Sequence, residues 1–175
     1  MSTLVVNLYG GPGVGKSTIA AGTFFRLKQA GINAELVTEF AKDKVWEESY
    51  RTLDNQIYIF GKQYHRIYRL LNKVEVVITD SPILLSLCYN RENMLPSFRQ
   101  LVFEIYRSLN TLDIFLVRQT PYNPIGRMQT EEEAKEIDRY LHNLLSGYNI
   151  KHKNIYVNKD ALKKIETLVY DIIKS

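Results

Sequence analysis

Short β-branched and aliphatic runs alternate along the chain with longer stretches whose apolar positions recur at steps of three and four. The first pattern predicts strands over 3–9, 33–38, 74–80, 112–118 and 153–157. The second predicts helices over about 15–29, 41–50, 53–72, 82–90, 96–109, 130–147 and 160–173. This alternation argues for an α/β architecture, a parallel sheet with crossover helices. Two helices show a buried stripe in their spacing: Ile57, Phe60, Tyr64, Ile67 and Leu71 in one, and Leu162, Ile165, Val169 and Ile172 in the last. Thr130 and Glu133 have the spacing of a capping box. Ser81-Pro82 reads as a helix start, with serine as cap and proline in the first turn. No repeat, low-complexity tract or linker interrupts the pattern, so residues 1–175 are expected to form one domain.

Composition adds little to this picture. A 45% hydrophobic and 24% charged chain of 175 residues is ordinary for a soluble globular protein. No stretch approaches the roughly 20 apolar residues of a membrane span, and the first apolar run is too short for a secretion signal. Cys88 is the sole cysteine, so no internal disulfide can form. These features lead us to expect a cytoplasmic protein without a membrane partner. The net charge of +4 permits an anionic partner without requiring one.

The segment behind the first predicted strand changes the picture. Residues 10–17 read Gly-Gly-Pro-Gly-Val-Gly-Lys-Ser, matching G-x-x-x-x-G-K-[ST] at Gly10, Gly15, Lys16 and Ser17. A strand precedes the motif and a helix follows, the setting this phosphate-binding loop requires. Glycines let backbone N–H groups turn inward toward phosphate oxygens, and the helix N-terminus adds its positive end. The nucleotide-binding residues are therefore expected to be Gly10, Gly11, Pro12, Gly13, Val14, Gly15, Lys16, Ser17 and Thr18. Lys16 would reach the β- and γ-phosphates of ATP, and the Ser17 hydroxyl would ligate Mg²⁺.

Further candidates follow from the carboxyl ends of strands, where ligands gather in open parallel sheets. Asp80 ends the run Val74–Thr79 and is placed to hold Mg²⁺ beside Ser17; its alternative role is a cap for the segment after Pro82. Glu39 ends the second strand and faces the same edge, where a carboxylate can take the proton of an attacking hydroxyl or bind a sugar. Its alternative is an acid favoured by the start of a helix. The segment from Arg118 to Thr130 holds two prolines, a glycine and two arginines, and reads as a lid over about 119–130. Arg127, then Arg118, and more distantly Arg139, are candidates to clamp the transferring phosphoryl group while the lid excludes water.

Other residues carry weaker signals. Lys62, Arg66, Arg69 and Lys73 form a basic helix face, either a solvated surface or a track for a nucleic-acid backbone. Trp46, Tyr50 and Gln56 lie where a substrate base could be stacked and read, with core packing as the alternative for the two aromatics. His65, His142 and His152 share no metal-ligand spacing, and Cys88 reads as a small buried hydrophobe. A regulatory GTPase would need a glycine where Ile83 follows Asp80-Ser-Pro, and its N-K-x-D acid falls one residue early at Asp160. A motor ATPase would carry an acidic pair where Ser81 follows Asp80.

Together, Gly10–Ser17, Val37-Thr-Glu39-Phe-Ala-Lys42, Val77-Ile-Thr-Asp80-Ser-Pro82 and Gly126-Arg127-x-Gln129-Thr-Glu-Glu-Glu-Ala134 resemble the NadR-like AAA-domain proteins. That family groups the ribosylnicotinamide-kinase domain with many bacteriophage-encoded P-loop proteins. The resemblance implies a P-loop NTPase fold like the nucleoside and nucleoside-monophosphate kinases, with a five-stranded parallel sheet in the order 2-3-1-4-5. It also implies ATP and Mg²⁺ as donor, Glu39 facing the acceptor, and a lid carrying Arg127. Ser81 stands where deoxynucleoside kinases place an arginine directly after the acid. The function expected is therefore phosphoryl transfer to a nucleoside- or nucleotide-like small molecule. The alternatives are a kinase acting on nucleic acid and an ATPase or switch module without a small acceptor.

Overall fold

Five parallel strands form the sheet: β1 (Leu4–Tyr9), β2 (Ala34–Val37), β3 (Val76–Thr79), β4 (Asn110–Val117) and β5 (Lys153–Tyr156), in the order β2-β3-β1-β4-β5. This is the expected strand order. The computed structural model describes residues 2–89, 92, 94–119 and 130–174. The helices are α1 (Lys16–Gln29), α2 (Phe40–Trp46), α3 (Tyr50–Asp54), α4 (Gln56–Tyr68), α5 (Pro96–Arg107), α6 (Glu131–Gly147) and α7 (Ala161–Ile173). No described helix is long and apolar enough to cross a membrane.

The sheet is buried on both faces, which is why its strands read as nearly continuous apolar runs. Leu4, Val6 and Leu8 of β1 pack with Val76, Ile78, Ile114 and Leu116 beneath α1 and α7. Val5 and Tyr9 face the other way with Val77 and Phe115, toward α4, α5 and α6. Every β1 residue is buried, so the chain leaves the centre of the sheet at Tyr9 from a rigid support.

Three predicted helices differ from the structure. The helix expected over 41–50 stops at Trp46, because Glu48 adopts a left-handed conformation (φ 55°) and the Ser49 N–H turns back to the Lys44 carbonyl. The one expected over 53–72 is divided at Asn55, whose side chain accepts the Tyr58 N–H at 3.2 Å and starts α4 anew. Ile57 is consequently exposed in the first turn of α4, and the buried stripe is Ile59, Phe60, Gln63 and Ile67. The segment expected as a helix over 82–90 is a 3₁₀ turn, Ile83–Leu87, with Pro82 at the cap position. All five of its residues are buried, so core packing outweighs regular helix here. In α7, Ile165 and Val169 are buried as expected, while Ile172 is exposed. The Thr130–Glu133 capping box is present at the start of α6.

A buried carboxylate locks the middle of the sheet. Asp113 of β4, 4% exposed, accepts hydrogen bonds from Asn7 Nδ2 (2.9 Å), Tyr9 Oη (3.0 Å), Tyr106 Oη (2.7 Å) and Thr111 Oγ1 (2.8 Å). These donors satisfy its oxygens and tie β1, β4 and α5 together. Asp113→Ala should therefore cost about 3 kcal/mol in urea unfolding, because it strands several buried donors. A loss under about 1 kcal/mol would mean that solvent replaces the carboxylate.

Candidate active site

The phosphate loop bridges the end of β1 and the start of α1. Gly15 precedes α1 with φ 101° and ψ 16°, a left-handed conformation that side chains strain to adopt. The first turn of α1 has neither an acidic residue nor a side-chain cap, so its own residues leave its positive end uncancelled. Lys16 arches back over the loop, donating from Nζ to the carbonyls of Gly10 (2.7 Å) and Gly11 (3.1 Å). Gly11 is required for a different reason: a Cβ there would stand 2.5 Å from the Ala134 carbonyl oxygen of α6. The helix after the segment expected as a lid thus lies directly on the loop.

Glu39 occupies the N-cap position of α2, but its side chain makes no cap hydrogen bond. Its carboxylate is not consumed by the helix start. Burial pushes that carboxyl above its ordinary value; Lys16 and Lys42 pull it back down, while Asp80 and Asp43 push it further up. Lys16, Glu39 and Asp80 are therefore electrically coupled, and they stand at the carboxyl ends of β1, β2 and β3. Asp80 is 3% exposed, and its Oδ1 has no hydrogen-bond partner among the described residues. Nor does Asp80 cap the following turn, since Pro82 holds the cap position and the Ser81 N–H donates to Thr79 Oγ1 at 3.1 Å.

This donor set fits Mg²⁺ bound alongside a nucleotide. A buried carboxylate oxygen without a partner suits a hydrated cation, and Ser17 lies exposed in the first turn of α1. No group of three His, Cys, Asp or Glu side chains among the described residues could hold a metal by itself. Magnesium commonly takes one or two protein oxygens and completes its shell with phosphates and water.

The turn carrying Glu39 is held by two residues that the sequence pattern did not single out for this role. Gln63, 3% exposed, accepts the Phe40 N–H through Oε1 (2.9 Å) and donates from Nε2 to the Thr38 carbonyl (3.4 Å). Arg66 donates to the same carbonyl at 3.0 Å and pairs with Asp43 at 2.7 Å. The peptides on either side of Glu39 are thus both fastened to α4. Arg66 belongs to the expected basic face, yet its guanidinium is engaged with this turn and lies over the Phe40 ring. Lys62 sits over the Tyr58 ring, 5.4 Å from its centre.

Arg118 follows β4 and donates from Nη2 to the Pro12 carbonyl at 2.8 Å, so it touches the phosphate loop. Arg127 and nearly all of the expected lid fall on residues 120–129, outside the described residues. Arg139 is exposed on α6. Trp46 and Tyr50 are exposed rather than in the core, and Gln56 donates to the Leu53 carbonyl of α3. His142 and His152 pack against Phe115 in a ring cluster, and Cys88 is buried, both as expected.

A parallel sheet in this order, with a glycine loop feeding α1 and acids on adjoining strand ends, defines a P-loop NTPase. The sequence profile of an AAA-domain family matches residues 5–160, and the chain belongs to that family. No curated protein sequence matches it. Among solved structures it is similar to deoxyadenosine kinase from M. mycoides, with a TM-score of 0.54 and 17% identity over 97% of this chain and 98% of that one. It is similar also to the APS kinase CysC of Mycobacterium tuberculosis, with a TM-score of 0.52 and 15% identity over 99% of each chain. Likeness at these identities is a likeness of fold.

Two outcomes test the site. Because the folded carboxyl of Glu39 lies above its ordinary value of 4.5, its contribution to stability is present below that value and lost as pH rises through the folded one. Glu39→Gln should accordingly match the wild type in urea unfolding near pH ~4 and exceed it at pH ~7. Gln63→Leu leaves the Phe40 N–H without its partner and should cost about 1–3 kcal/mol. It should also lower turnover while leaving nucleotide affinity nearly unchanged.

Proposed function

We propose that the chain is an ATP- and Mg²⁺-dependent phosphotransferase acting on a nucleoside- or nucleotide-like small molecule. The observation that carries this reading is the convergence of Lys16, Glu39 and Asp80 at the strand ends, with Glu39 half-buried yet unspent on its helix. A carboxylate poised in this way can accept a proton from an acceptor hydroxyl. The motifs at 37–42, 77–82 and 126–134, together with the phosphate loop, support a place in the NadR-like branch of the family.

In this mechanism the backbone N–H groups of Gly13–Thr18 cradle the triphosphate and Lys16 neutralises its β- and γ-oxygens. Ser17 and Asp80 would hold Mg²⁺, which supplies charge neutralisation across the β- and γ-phosphates. Glu39 orients the acceptor hydroxyl and takes its proton as the oxygen attacks the γ-phosphorus and ADP leaves. Arg118 would meet the transferring group; the sequence alone assigns Arg127 the part of a second clamp and the segment 119–130 that of excluding water. The reaction is proposed to take place in the cytoplasm. Engagement of Arg66 with Asp43 and Thr38 favours a small acceptor over a nucleic-acid backbone, because it removes one cation from the middle of the basic face.

Transfer of labelled γ-phosphate from ATP to nucleosides, nucleoside monophosphates, nicotinamide riboside and DNA, with an acceptor-free control, tests this reading. Label should appear on one small acceptor. Phosphate release alone would indicate an ATPase, and label on DNA would restore the basic helix as a binding track. Lys16→Ala should lower the rate at least about 100-fold; near-normal turnover in that variant would overturn the assignment.

A further inference from the structure

Asp138 lies on α6 with its carboxylate turned to the phosphate loop. Its Oδ1 accepts the Gly11 N–H at 2.5 Å, and its Oδ2 pairs with Arg118 Nη2 at 3.4 Å. The same Nη2 donates to the Pro12 carbonyl at 2.8 Å. One carboxylate thus closes a ring through three parts of the chain that are distant in sequence: the loop after β1, the residue after β4, and α6. The contact is tight, since a Cβ on Gly11 would stand 3.0 Å from Asp138 Oδ1. Both partners are largely withdrawn from water, with side-chain exposures of 15% for Arg118 and 23% for Asp138.

We infer that Asp138 is a positioning residue that aims Arg118 at the nucleotide phosphates. The inference rests on the phosphotransfer reading and deepens it. A guanidinium needs a fixed orientation if it is to meet a phosphate with little loss of side-chain freedom on binding. Asp138 supplies that orientation by charge, and it does so from the helix that directly overlies the loop. The pair is set before the nucleotide arrives. Asparagine at this position would still offer an oxygen to the Gly11 N–H, but would hold the guanidinium only weakly. The charge of Asp138 and its shape therefore have separable effects.

The test is a double-mutant cycle of wild type, Asp138→Asn, Arg118→Ala and the double variant. Its first readout is the equilibrium affinity for a non-hydrolysable ATP analogue with Mg²⁺, which needs no acceptor; its second is the turnover of ATP. Asp138→Asn should weaken analogue binding about fivefold or more when Arg118 is present, and less than about twofold when it is absent. Asp138→Glu should restore part of the loss. Equal losses in both backgrounds would overturn the inference and assign Asp138 to shaping the loop through Gly11. Should Asp138→Asn fail to fold, Arg118→Lys serves instead. Lysine keeps the charge but lacks the planar fork, and it should reproduce the arginine loss; wild-type affinity in that variant would overturn the inference. A wild-type chain that binds the analogue but phosphorylates no acceptor would remove the kinase reading and leave the binding cycle to decide on Asp138. A wild-type chain that does not bind ATP would overturn both.

Discussion

The site depends on one constraint: β1 is paired along both edges and buried on both faces. Its register aligns Asn7 with Thr79 of β3 and with Asp113 of β4, so a polar row crosses the three central strands just below the carboxyl edge. Each member of the row is buried, and Asp113 is satisfied by four neutral donors rather than by a cation. A slip of β4 against β1 would take this carboxylate away from its donors. The row therefore fixes the heights at which the phosphate loop, Asp80 and Arg118 leave the sheet.

Above that row, the chain accepts local costs that a structural role alone would not require. Among the described residues Asp80 keeps a buried oxygen without a partner, and the half-buried Glu39 is pushed toward its neutral form by that burial and by a second acid. Both are destabilising arrangements in the protein by itself, and such costs concentrate where groups are held ready for a ligand. What offsets them lies in the surroundings. Lys16 tempers Glu39, while Gln63 and Arg66 fasten the peptides on either side of it. The basic helix thus acts first as a support.

The strands, the phosphate loop and the acids at the strand ends were legible in the sequence, because each rests on a local signal; the strand order was implied by the family resemblance and not by any local spacing. Apolar runs mark doubly buried strands, and the glycine–lysine–serine spacing is short and specific. The supports were not legible. Gln63 meets Phe40 across 23 positions, Asn7 meets Asp113 across 106, and Gly11 meets Asp138 across 127, and no local spacing announces such pairs. The divided helices are an intermediate case. Asn55 is a recognisable capping residue that the apolar period around Ile57 masked, whereas the left-handed turn at Glu48 has no glycine to mark it.

Trp46 is the only tryptophan in the chain, and it is 68% exposed at the end of the helix that starts just after Glu39. Its indole is already largely hydrated in the folded protein, so its emission lies close to that of the unfolded chain. Intrinsic tryptophan fluorescence is consequently a poor gauge of whether the core is intact. The core is better followed through near-ultraviolet dichroism of its buried tyrosines, Tyr9 and Tyr106. The same indole, blind to the core, is well placed to register optically what settles beside α2.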